Sequence, residues 1–148
     1  MGDGSAMRVL VVEDEALLAM DIESVVEDEG HVLVGEAACA TTAAALPDRT
    51  APDLALVDLH LANGTSGLVV CEMIRRRWPD AVVVFVTANP QRIPHDFPGA
   101  FGVLAKPFSH AGLSASLRYL EEGIHRPPPR AGRPDILTTS AELSKLWA

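Results

Sequence analysis

At 148 residues, with 48% apolar and 22% charged side chains, the chain has the make-up of one soluble globular domain with a short appendage. No apolar run approaches the roughly 20 residues that span a bilayer, no basic-then-apolar leader opens the chain, and Cys39 and Cys71 form neither a metal spacing nor a disulfide framework; a cytoplasmic protein is expected. Residues 1–122 carry 8 Lys/Arg against 18 Asp/Glu, a net −10, while residues 123–148 carry +2, so the acidic body is a poor match for nucleic-acid phosphates.

In chain order, residues 1–6 read as a flexible lead-in, and short apolar runs then alternate with helical periodicity, the pattern of an α/β fold with a parallel sheet. Strands are expected near 8–12, 31–36, 53–58, 81–87 and 101–105. The third and fourth, Leu54-Ala55-Leu56-Val57 and Val82-Val83-Val84-Phe85-Val86, are apolar on both faces, as strands covered on two sides must be. Leu18, Ile22, Val25 and Val26 mark one face of a first helix, which Gly30 is suited to end. A short helix in 39–47 ends at Pro47, and Leu68, Cys71, Ile74 and Trp78 trace a further stripe whose last turn, Arg75-Arg76-Arg77, reads as solvated. Pro90, Pro94 and Pro98 break the segment before the fifth strand, leaving room for a single turn or an irregular loop. Residues 110–121 form a helix capped by Ser109, with Leu113, Leu117 and Leu120 inward.

After Gly123 the composition changes. Pro127-Pro128-Pro129 favours polyproline II within a linker. Thr139-Ser140-Ala141-Glu142 matches a capping box opening a helix over 140–147, in which Leu143, Leu146 and Trp147 share a face. A helix this short either docks on something or frays.

The chemistry sits at strand ends. Glu13-Asp14 follow the first strand and Asp58 closes the third, so adjacent placement in a parallel sheet would gather three carboxylates. Like charges about 4 Å apart repel by roughly 4 kcal/mol at an effective dielectric of about 20, so the cluster calls for a divalent cation or for raised pKa values. Thr87 ends the fourth strand, and Lys106-Pro107-Phe108 follow the fifth.

These four features, in this order, resemble the receiver domain of bacterial two-component response regulators over residues 7–122. The resemblance implies a flavodoxin-like, doubly wound α/β fold with a five-stranded parallel sheet in the order 2-1-3-4-5; the proline-broken segment of this chain departs from it in leaving the fourth helix shortened or irregular. It implies that Asp58 accepts a phosphoryl group from a sensor histidine kinase or a histidine phosphotransfer protein. It also implies Mg²⁺ held by Glu13, Asp14, Asp58 and the His60 carbonyl, with Lys106 and Thr87 contacting the phosphoryl group. His60 and Asn89 occupy the positions that tune hydrolysis, and a cis Lys106-Pro107 bond is expected. Together with residues 123–148 as linker and tail, this describes a single-domain regulator. It would signal by protein contact to an unspecified target, with neither nucleic acid nor membrane as partner, and homodimerisation is left open.

Three departures from the family pattern stand out. The aromatic switch position holds Val103; Thr87 and Lys106 lie 19 positions apart, roughly one helical turn less than expected; and the loop after Asp58 lacks its usual proline, although Gly64 and Gly67 still permit a tight return. The first two motivate an alternative, a scaffold or phosphate sink insensitive to phosphorylation. A phosphohydrolase is disfavoured, because the chain has neither an Asp-x-Asp nucleophile pair nor a segment long enough for a substrate cap.

Overall fold

The computed structural model describes residues 6–148; most of the 1–6 lead-in lies outside the described residues. Five parallel strands, β1 (Arg8–Val12), β2 (Val32–Ala37), β3 (Leu54–Asp58), β4 (Val82–Thr87) and β5 (Phe101–Ala105), stand within a residue of their expected positions. They run in the order β2-β1-β3-β4-β5, the doubly wound arrangement. A sixth strand, β6 (Leu137–Thr139), extends the sheet antiparallel to β5. The sheet therefore has six strands where five were expected.

Alternation along each strand divides the core in two. Val9 and Val11 of β1, Leu54 and Leu56 of β3, and Val84 and Val86 of β4 face one way. They pack on Ile22, Val25 and Val26 of α1 (Ala16–Asp28) and on Leu113, Leu117 and Leu120 of α4 (His110–His125). Leu10, Val12, Ala55, Val57, Val83 and Phe85 face the other way, onto Ala43 of α2 (Ala40–Ala44) and Val70, Cys71 and Ile74 of α3 (Gly67–Arg77). Gly30 follows the end of α1 at φ +86°, the left-handed conformation that a glycine makes inexpensive. Ser109 caps α4 by accepting the Gly112 N–H at 3.0 Å, and the helix runs four residues beyond the expected 121.

The proline-broken segment keeps only one 3₁₀ turn, Pro90–Arg92. Its remainder is held by side chains. Phe97 packs edge-on against Phe85 and Phe101 at 5.8 and 5.5 Å between centroids. Arg75 donates to the carbonyls of Pro98 (2.9 Å) and Ala100 (3.0 Å), and lies across Gly99 at φ +98° where a Cβ would collide with the guanidinium.

The arginine triplet at the end of α3 is thus not simply a solvated helix end. Arg77 likewise donates to the Leu46 carbonyl (2.6 Å) and to Asp48 (2.8 Å) and stacks on Trp78. It ties down the stretch after α2, a helix that proves shorter than the expected 39–47.

Beyond α4 the chain returns across the sheet. After β6 comes α5 (Ala141–Leu146), which buries Leu143 completely and Trp147 almost so. Trp147 lies edge-on to Tyr119 at 5.7 Å and close enough to Gly123 that a Cβ there would clash. Two tail expectations are corrected. Ser140, not Thr139, caps the helix, accepting the Leu143 N–H at 3.2 Å, because Thr139 is engaged in β6. Glu142 is consequently out of capping register and accepts the Gly99 N–H at 2.9 Å instead. Leu146 points to solvent, at 65% exposure, apart from Leu143 and Trp147.

Candidate functional site

The order β1-β3-β4-β5 places four strand ends side by side, each delivering one of the residues singled out in sequence. Glu13 and Asp14 leave β1, with the Glu13 N–H fixed on the Ala37 carbonyl of β2 at 2.9 Å. Oxygens of Glu13, Asp14 and Asp58 all lie within 4.8 Å of one another. Lys106 enters from the end of β5, its Nζ 3.4 Å from Asp58 Oδ2 and 3.6 Å from Glu13 Oε1. The Lys106-Pro107 bond is cis, as expected. Thr87 is buried at the end of β4, and its hydroxyl accepts the Asn89 N–H at 2.9 Å.

The backbone holds Asp58 from beneath. The His60 N–H donates to Asp58 Oδ1 at 3.0 Å, while the His60 side chain stays exposed. The chain returns through a 3₁₀ turn at Ala62–Gly64, and the Gly67 N–H bonds the Leu59 carbonyl at 2.8 Å. A Cβ on Gly67 would stand 2.3 Å from the Asp58 carbonyl oxygen. Only glycine lets the start of α3 approach the end of β3 this closely.

The carboxylates are not electrostatically at rest. Glu13 is almost fully buried, and burial pushes its pKa up to about 7; the neighbouring Asp58 carboxyl adds to the rise, while the Glu15 N–H and Lys106 oppose it. Its Oε1 is buried without a hydrogen-bond partner, while Oε2 accepts the Glu15 N–H at 3.1 Å. An oxygen-only donor set, with one buried oxygen that makes no hydrogen bond, fits a hard divalent cation such as Mg²⁺.

Two neighbouring features carried no sequence signal. Glu23 of α1 lies by Glu36 of β2 on the far side of the cleft that Glu13 and Asp14 open; burial, then Glu36, raises its pKa to about 7. Arg92 lines the same small cleft as His60 and the loop after Asp58. Neither belongs to a local motif, since each pairing joins elements distant in the chain. Val103 lies mid-strand in β5, partly buried, opposite Thr138 of β6.

A family model, the response regulator receiver domain, matches residues 9–118. The chain is 38% identical to the phyllosphere-induced regulator PhyR of Methylorubrum extorquens over 112 residues, which cover 74% of this chain and 42% of PhyR. It is 30% identical to the transcriptional regulatory protein PdtaR of Mycobacterium tuberculosis over 142 residues, 94% of this chain and 68% of that protein. The solution structure of the receiver domain of Erythrobacter litoralis PhyR superimposes with a TM-score of 0.66 at 32% identity, over 78% of this chain and 89% of that one. The chain belongs to the response regulator receiver domain family of bacterial two-component signalling. It spans under half of the PhyR relative's length. Among the described residues no helix is long and apolar enough to cross a membrane.

Proposed function

We propose that Asp58 accepts a phosphoryl group from a histidine kinase or histidine phosphotransfer protein, in a Mg²⁺-dependent reaction, and that the phosphorylated chain signals by protein contact. The observation that carries this reading is the meeting of oxygens of Glu13, Asp14 and Asp58 within 4.8 Å, with the Lys106 ammonium beside Glu13 and Asp58.

Phosphoryl transfer asks a protein mainly for positioning and for neutralisation of the charge on the equatorial oxygens. The Asp58 carboxylate, oriented by the His60 N–H, attacks phosphorus in line; the new P–O bond forms as the bond to the donor imidazole nitrogen breaks and the imidazole departs. Lys106 offsets the charge on the transferred group, and the Thr87 hydroxyl, accepting from the Asn89 N–H, donates its proton to a phosphoryl oxygen. Glu13, Asp14, Asp58 and the His60 carbonyl would hold Mg²⁺, which supplies neutralisation of the phosphoryl oxygens. Water later attacks the aspartyl phosphate, past His60 and Asn89, which set the rate.

On this reading the chain is a phosphoacceptor and not an enzyme acting on external substrates. It works in the cytoplasm, with residues 7–122 as its receiver and 123–148 as an appended tail. Incubation with acetyl phosphate and Mg²⁺ should add one phosphoryl mass, and Asp58→Asn should abolish the adduct. No adduct on the unaltered chain would overturn the reading.

A further inference from the structure

The site leaves residues 136–147 without a role, although they are built into the sheet. We infer that this segment, β6 with α5, is the element that Asp58 phosphorylation moves, loosening it from β5. The inference rests on the reading of Asp58 as phosphoacceptor and adds the regulation of that site.

Strand β5 joins the site to the tail through consecutive amides. The Lys106 N–H bonds the Thr87 carbonyl at 2.9 Å, and the Ala105 N–H bonds the Ile136 carbonyl at 2.9 Å, on the opposite side of the strand. A phosphoryl group on Asp58 places new anionic oxygens between the Lys106 ammonium and the Thr87 hydroxyl. Both groups have reason to close on it: Lys106 is now 3.4 Å from Asp58, and the Thr87 hydroxyl, which accepts the Asn89 N–H, keeps its own proton free to donate. Closure pulls the end of β5 toward the phosphoryl group and away from Ile136.

What holds the tail is limited enough to yield. β6 is three residues long, pairing Leu137, Thr138 and Thr139 with Leu104, Val103 and Gly102. Ser140 brackets Phe101, its hydroxyl accepting the Phe101 N–H at 3.0 Å and its own N–H reaching the Phe101 carbonyl at 2.8 Å. Leu137, Leu143 and Trp147 are buried. Ordering a dozen residues costs more than burying three apolar side chains returns, so the tail depends on its few strand and cap hydrogen bonds. Such a segment lies at the low-stability end of a fold, where moving elements are found.

Release would also free the Gly99 N–H from Glu142. It would open the groove of about 450 Å³ between tail and loop, lined by Ile93, Pro94, Phe97, Phe101, Val103 and Thr138.

The test is amide hydrogen exchange on the full chain with Mg²⁺, with and without beryllofluoride as the phosphoryl mimic. The amides of Ala105 and Ser140 should exchange about tenfold faster with the mimic, while those of Ile22, Val25 and Val26 in α1 stay unchanged. Shifts at Thr87 and Lys106 with no acceleration at Ala105 and Ser140 would overturn the inference and leave the phosphoacceptor reading intact. No response anywhere would overturn both. Acceleration in Asp58→Asn would overturn it as well, since the movement would then not originate at Asp58.

Discussion

Glu13→Gln removes a carboxyl group that the fold holds in its protonated form well above the normal range. The side chain is 1% exposed, so solvent screening offers little relief, and burial raises its pKa from 4.5 to about 7. Between those two values the native chain retains a proton that the unfolded chain has lost, so this group's contribution to stability falls as pH rises through the window and is flat above it. At about 1.4 kcal/mol per pKa unit, the wild type should lose about 2–3 kcal/mol relative to the Gln variant between about pH 5 and about pH 8. Glu23 shifts in the same direction, but it is present in both proteins and cancels in the comparison. Urea unfolding in EDTA at the two pH values measures the difference. Parallel pH dependence of the two proteins would refute the argument from burial. Adding Mg²⁺ at the higher pH should stabilise the wild type by mass action and the variant less, because Glu13 is then ionised and available as a ligand.

Gly67→Ala should cost about 1–3 kcal/mol in unfolding free energy, through backbone overpacking. It should also slow phosphoryl acceptance from acetyl phosphate, since the Cβ meets the Asp58 carbonyl itself. Arg75→Ala should cost about 1–3 kcal/mol from two lost bonds to carbonyls, while the extent of phosphorylation stays unchanged; a Tm scan and intact mass separate the two effects. His60→Ala should change the decay of the phosphorylated chain on the order of tenfold, about 1.4 kcal/mol in barrier; phosphate release at the wild-type rate would reject its role beside Asp58.

The site was legible because every member of it is local to a strand end. Glu13-Asp14, Asp58, Thr87 and Lys106 each follow an apolar run, and a parallel sheet has one edge at which such ends gather. Strand positions were legible for the same reason, since runs such as Val82–Val86 have no other stable use. What lay beyond sequence were pairings between distant segments. Arg75 and Arg77 read as a solvated helix end because nothing nearby in sequence announces the carbonyls of Pro98, Ala100 and Leu46. Leu137-Thr138-Thr139 is too short to show a strand period, although two β-branched residues after a proline-rich stretch are a faint signal. The capping-box match at Thr139–Glu142 was out of register by one residue, because β6 claims Thr139 and Gly99 claims Glu142.

The short antiparallel strand has a bearing on how the protein behaves in concentrated solution. Without it, the five residues Phe101–Ala105 would form the rim of the sheet, an apolar row of unpaired amides and carbonyls that invites another chain to add a strand. With it, the rim is only three residues long and lies beside a helix. Clipping the proline-rich stretch ahead of it should therefore favour self-association even where the carboxylate-bearing end of the sheet is untouched.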